Sequence, residues 1–250
     1  MLKQFLGAAA AVLTLHAQQF EVAAFKPTAD RTQRGLIVHL PAETGYRGTN
    51  MNLSSYLMVA YQVRADQITG PDWLDTEFFD MQGKAGRTCT ADELHTMMAH
   101  LLEERFHMQI HRVTKQVTGY SLVVDKGGSK MADHDPQDLE MPPIEGPVGN
   151  LHGKNVPMQY LALYLSRNLG EKVVDNTGLT GHYDFTIKWE LPPMPEPGPA
   201  GSGPQVMISG PDLYAGIIGA LRRQLGLRLD KGKVPSTQIV IDHIEKLADN

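Results

Sequence analysis

Ten histidines run through this chain, several of them beside Asp or Glu, and these side chains would carry any acid–base or metal chemistry. The densest group is His100, Glu103, Glu104 and His107. On a helix, His100, Glu103 and His107 share the face opposite Leu94, Met98 and Leu101. Such a set could hold a divalent metal with water in an open position. The spacing is not that of His-Glu-x-x-His, and a solvated face with Glu103 and His107 one turn apart accounts for the same residues. No metal or other cofactor is therefore assigned. His107, His111, His182 and Asp184 are the candidates for acid–base catalysis. His111 and His182 fall in strand-like stretches, and His182 points away from the buried face if its neighbour Tyr183 points in. Asp80 and Asp184 hold matching places in the two halves of the chain. Paired carboxylates can do acid–base work, but turn or edge roles explain them as well.

Nucleophile and phosphate motifs are missing. The chain has no Gly-x-Ser-x-Gly elbow and no Gly-x-Gly-x-x-Gly or Gly-Lys-Ser/Thr loop after a strand. Gly127-Gly128-Ser129-Lys130 is turn-like with no helix behind it. Cys89 is the only cysteine, so no intramolecular disulfide can form. It sits just before a helix, where a thiol pKa can fall, but a catalytic thiol also needs a base and an orienting group.

The elements that would position these residues come in two similar series. Gly48-Thr49-Asn50 and Gly153-Lys154-Asn155 each lead into a helical pattern. In the first, Leu53, Tyr56, Leu57, Ala60 and Tyr61 share a face; in the second, Met158, Leu161, Ala162, Leu165 and Leu169 do. A turn and a strand follow in each: Gly70-Pro71-Asp72 before Phe78–Met81, and Asn176–Gly181 before Tyr183–Ile187. A second helix comes next, Asp92 to about His107 in one and Asp212 to about Leu225 in the other. Thr90 and Glu93 make a capping box for the former. Each series closes with two strands, and Thr118-Gly119 and Lys231-Gly232 between them read as hairpin turns. Phe20–Phe25 is a further alternating strand, suited to an edge of the first unit's sheet. The expected fold is α+β: two tandem copies of a small strand-helix-strand-helix-strand unit, with helices packed on mixed or antiparallel sheets.

With 250 residues, 42% of them hydrophobic and 20% charged, the chain can bury one large core or two small ones. Its net charge of -5 argues against a nucleic-acid partner. Lys3, the apolar run Phe5–Leu15 and the small residue Ala17 read as a signal peptide over residues 1–17, too short for a normal span. The first repeat then covers 18–125, a polar, Pro-bearing linker 126–150, and the second repeat 151–250. The second repeat is interrupted by a Pro/Gly-rich loop at 191–210. After signal cleavage no integral membrane span is expected, and the compartment is periplasmic or extracellular.

Several stretches resemble a known exported family. They are Phe20-Glu21-Val22-Ala23-Ala24-Phe25-Lys26-Pro27, Gly70-Pro71-Asp72-Trp73-Leu74, Phe106-His107-Met108-Gln109-Ile110-His111-Arg112, Asn155-Val156-Pro157-Met158, the run Val173–Phe185 with its Thr177-Gly178-Leu179-Thr180-Gly181-His182-Tyr183-Asp184-Phe185 core, and Ile241-Asp242-His243-Ile244-Glu245-Lys246. Together they are similar to soil-associated exported proteins grouped as a domain of unknown function, sometimes fused behind antibiotic-sensor metallopeptidases. The resemblance covers nearly all of the mature chain and implies a compartment and a fold, but no activity. The repeat unit has a weaker likeness to the short N-terminal domains of secretins and TonB-dependent receptors, in element order alone. The functional expectation is a module that binds an envelope protein or a small-molecule ligand. The alternative is a hydrolase of a small ester, lactone or glycan, using His or Asp side chains.

Overall fold

Alternation of apolar residues from Val22 and helical spacing from Leu53 produce the first elements of a computed structural model that describes residues 19–40, 42, 44–134, 144–193 and 210–247. These residues fall within two units, Met1–His111 with Ile239–Asn250, and Arg112–Gln238. Both helices and strands are present, and the fold class is α+β. The expected signal peptide at 1–17 and most of the 191–210 loop lie outside the described residues.

The first unit holds β1 (Val22–Pro27), β2 (Leu36–His39), β3 (Gly45–Asn52), α1 (Leu53–Ala60), β4 (Ile68–Thr69), α2 (Trp73–Thr76), β5 (Phe78–Lys84) and α3 (Ala91–Arg105). Its antiparallel sheet runs β1-β5-β3-β2. The register sorts side chains by face. Phe25, Met81, Gly48 and Ile37 form one row across the four strands, and Ala24, Gln82, Arg47 and Val38 form the next. Since successive residues point to opposite faces, the first row faces the core and the second faces out. Phe25, Tyr56, Phe79 and Phe106 pack edge-on or tilted at 5.0–5.4 Å between ring centroids, fixing helix to sheet.

Gly48 lies in the core row because nothing larger fits. A Cβ there would come 2.2 Å from the Tyr56 hydroxyl, which is buried and donates to the Phe79 carbonyl at 2.9 Å. Gly48→Ala should therefore cost about 2 kcal/mol by displacing a locked ring, readable as a lower urea midpoint with an unchanged slope. The matching residue in the second unit, Gly153, is likewise covered by the Phe185 ring, whose Cζ would lie 2.4 Å from an added Cβ.

The expected capping box starts α3. Thr90 Oγ1 accepts from Glu93 N–H at 3.3 Å, and Glu93 Oε2 accepts from Thr90 N–H at 2.8 Å. Arg87 donates to the same carboxylate, and this arginine bond, then the backbone bond, holds Glu93 well below the usual range, at about 2. A carboxyl with a depressed folded-state pKa stabilises the fold while ionised. The gain is complete above the unfolded value and is lost as pH falls toward 2. Glu93→Gln should lower stability at pH 7 by roughly 1 kcal/mol, a cap-sized effect at a partly exposed site. Paired melts should show the gap closing between about pH 4.5 and pH 2.

The second unit holds most of β6 (Gln109–Val124), β7 (Ala132–Asp133), β8 (Ile144–Glu145), β9 (Asn150–Pro157), α4 (Met158–Leu169), β10 (Lys172–Asp175), β11 (His182–Lys188), α5 (Gly210–Tyr214), α6 (Ile217–Ala220) and most of β12 (Leu227–His243). The segment 126–150 contributes β7 and β8, and its residues 135–143 lie outside the described ones. The antiparallel sheet runs β7-β11-β9-β8, the strand order of the first sheet. Its core packs Met158, Leu161, Ala162 and Leu165 of α4 with Tyr183, Phe185, Ile187, Trp189, Ile217 and Leu221.

Two local expectations are corrected. The helix expected over Asp212–Leu225 is broken into α5, α6 and a wider π turn, Leu221–Leu225. Trp189 Nε1–H takes the Leu213 carbonyl at 2.8 Å, removing it from the helical ladder. Gln224 turns its amide to Lys188, accepting from its N–H at 3.0 Å and donating to its carbonyl at 2.6 Å. Nor do Thr118-Gly119 and Lys231-Gly232 turn: β6 and β12 run straight through them. Gly119 is extended and pairs with Lys172 of the parallel strand β10. A Cβ there would sit 2.3 Å from the Lys172 carbonyl oxygen and 2.8 Å from Val234 Cγ2. The glycine permits close approach rather than a bend. As a result β6 starts in the first unit and ends in the second, and β12 does the reverse. The end of β12 completes the first unit, where Ile239 and Val240 lie parallel to Ile68 and Thr69.

Candidate functional site

The strand that precedes the first helix of each unit carries a bulge, placed where the sequence has Thr49-Asn50 and Lys154-Asn155. The bulge forces left-handed backbone on the asparagines, with φ 47° at Asn50 and 56° at Asn155, a conformation Asn tolerates better than most residues. Its freed backbone N–H needs an acceptor. In the first unit Asn50 N–H donates to Asp80 Oδ1 at 2.9 Å, and Thr28 Oγ1–H donates to the same oxygen at 2.9 Å. In the second, Asn155 N–H donates to Asp184 Oδ1 at 2.8 Å, and His134 Nδ1 lies 2.8 Å from that oxygen. Thr28 and His134 each follow the edge strand of their sheet, and each pins its own N–H to the start of the neighbouring strand, at Phe78 O (2.8 Å) and His182 O (2.9 Å).

The two arrangements differ on their side-chain side. Asn50 is buried and donates its amide to the Arg31 and Gln33 carbonyls. The Asn155 amide oxygen instead accepts from Nδ1 of the exposed His182. The His134 side chain is only 3% exposed against 40% for Asp184. His134 is therefore placed to hold the carboxylate and the bulge, not to meet a substrate.

The other histidine candidates lie elsewhere. His111 is half exposed and donates through Nδ1 to both oxygens of Asp242, at 2.8 and 2.9 Å. His107 ends α3: it adopts φ 45°, and Met108 N–H closes back on the Glu103 carbonyl at 2.9 Å, the pattern of a left-handed helix stop. Glu103 Oε1 accepts from the Tyr61 hydroxyl at 2.9 Å. His100, Glu103 and His107 are not brought together as ligands, and among the described residues no three His, Cys, Asp or Glu side chains could share a metal ion. Cys89 is buried, and burial pushes its thiol pKa up rather than down.

Sequence reasoning paired Asp80 with Asp184 but missed Thr28 and His134. The signal was positional: each follows the short edge strand that pairs with the aspartate's own strand.

A family model described as a protein of unknown function, DUF3738, matches residues 54–244. The chain belongs to the DUF3738 family. The DUF3738 match takes in Asp80, His111, His134, Asn155, His182, Asp184 and Asp242, and starts after Thr28 and Asn50. No curated protein and no solved structure matches the chain. Among the described residues of this DUF3738 chain, no helix is long and apolar enough to cross a membrane.

Proposed function

We propose that the chain is an exported, non-enzymatic module that binds an envelope partner on the outward face of the sheet β1-β5-β3-β2. The observation that supports this most is the makeup of that face. Lys26, Lys84 and Arg47 stand on it with Val22 and Val38, in a chain whose net charge is -5. None of these three cations has an ion pair among the described residues, whereas Asp80, the carboxylate on the same face, is engaged by Asn50 and Thr28. Three cations against the single carboxylate of Asp80, set among exposed apolar side chains, leave the described part of this face net positive and suit an acidic partner. The export reading rests on Lys3, the Phe5–Leu15 run and Ala17. Matching strand orders and matching Asn–Asp bulges favour an ancestral duplication.

The test immobilises the chain from Gln18 onward and presents a detergent-solubilised envelope fraction. Saturable capture, released by salt and lost in Lys26→Glu/Lys84→Glu, is expected. Capture that is indifferent to the charge reversal, or none, contradicts the reading. One observation favours the hydrolase alternative: His111 is exposed, with its tautomer fixed by Asp242, as a general base would need. Turnover on ester, lactone or glycan panels that His111→Ala abolishes would establish it.

A further inference from the structure

The two antiparallel sheets have four edge strands, β1, β2, β7 and β8; the other edge strands among the described residues, β4 and β10, are two residues long and headed by Lys172 respectively. Edges left open recruit further strands, and proteins guard them with short length, lysine or proline. Strands β7 and β8 are two residues each, and β1 ends in Lys26-Pro27. Strand β2, Leu36-Ile37-Val38-His39, has none of these guards. Its Leu36 and Val38 are 54% and 38% exposed. The surrounding charge is cationic. Arg47 lies across from Val38, and exposed Arg34 precedes Leu36 by two residues. Neither arginine has an ion pair among the described residues. The carboxylate of Asp30 keeps its charge, since the Thr32 and Gln33 groups that bond to it are neutral, but Arg31, Arg34 and Arg47 outnumber it and leave the stretch net positive.

Resting on the binding-module reading, we propose that β2 is the docking edge for an extended, acidic polypeptide segment, which joins the sheet as a fifth strand. Backbone pairing supplies the attachment, and alternating side chains supply the selectivity. Carboxylates of the incoming strand meet Arg34 and Arg47, and its apolar residues cover Leu36 and Val38. A second copy of the chain fits less well, because pairing β2 with itself would gather two Arg34 and two Arg47 around one short strand pair.

The probe is a fluorescent decapeptide with Glu and Val alternating on one face and Thr on the other, titrated by anisotropy into the chain from Gln18 onward. Saturable binding is expected, weakened at least about tenfold by Arg34→Glu/Arg47→Glu and by raising salt from 50 to 300 mM. N-methylation at alternate residues should abolish binding on one edge of the peptide and spare it on the other. The same peptide with Lys for Glu should not bind. Four outcomes overturn the proposal: no saturable binding, equal binding of the Lys peptide, indifference to N-methylation on both edges, or binding to anionic phosphatidylglycerol vesicles in place of the peptide. Self-association that blocks the peptide would likewise overturn it, by assigning the edge to a second copy. If the peptide fails while envelope capture still depends on Lys26 and Lys84, this inference falls and the module reading stands. If both fail, both fall.

Discussion

A chain ending at Gln238 will lose the first unit's fold. The residues removed are remote in sequence from that unit but sit inside it. Ile239 is 1% exposed and pairs with Ile68. Ile241 packs against Gly70, where an added Cβ would lie 3.0 Å from its Cδ1. Asp242 accepts from His111, and Glu245 N–H donates to the Phe106 carbonyl at 2.8 Å. Lys246 pairs with Glu77 and lies 5.5 Å from the centre of the Trp73 ring. Losing one buried isoleucine alone costs about 2–5 kcal/mol. Adding the lost strand pairing reaches the 5–15 kcal/mol typical of a whole domain. Hydrogen exchange read by mass spectrometry should find residues 44–105 of the truncated chain exchanging as an unfolded segment. If that segment stays protected, β12 is dispensable to it, and a self-contained first half ending near residue 125 is the better description.

The second large effect is expected at Asp184. Replacing it with Ala leaves Asn155 N–H and the deeply buried His134 ring without the oxygen that holds both. Each hydrogen bond to a charged group contributes about 1.5–3 kcal/mol, so losing these two should cost Asp184→Ala roughly 3 kcal/mol, equivalent to about 6–12 °C in melting temperature. Asp184→Asn keeps an acceptor oxygen and should lose less. Asp80→Ala should also fall short of Asp184→Ala, because the Thr28 hydroxyl is half-buried and can turn to water. A thermal melt series on these three variants checks the order.

Much of the architecture was legible because the residues that make it act locally. The 3.6-residue spacing from Leu53 and Met158, the Thr90–Glu93 box and the alternation at Tyr183–Ile187 each answer to neighbours a few positions away. Gly119 misled because glycine signals either a bend or a close approach, and which applies depends on strand β10, more than fifty residues away; Gly232 has open space around it and lies in a continuous strand with no close approach. The break between α5 and α6 is of the same kind: Trp189, from outside these helices, takes the Leu213 carbonyl. At the candidate site, the aspartates and asparagines were recognisable as matched residues. Their joint role was not, since a bulge is a property of two paired strands. His134 was illegible for that reason, and the helix-stop geometry of His107, with its φ of 45°, was not visible in its spacing from His100 and Glu103.

The central claim is that Asp184 maintains the fold while recognition belongs to the outward face of the first sheet. The direct measurement takes Asp184→Ala and Arg34→Glu/Arg47→Glu and determines, for each, its urea midpoint and its affinity for the acidic decapeptide at a temperature where both are folded. Asp184→Ala should lower the midpoint and leave affinity within about twofold. The arginine pair should leave the midpoint and lose affinity about tenfold or more. An Asp184→Ala protein of wild-type stability that no longer binds, or that loses a measurable turnover, would contradict the account.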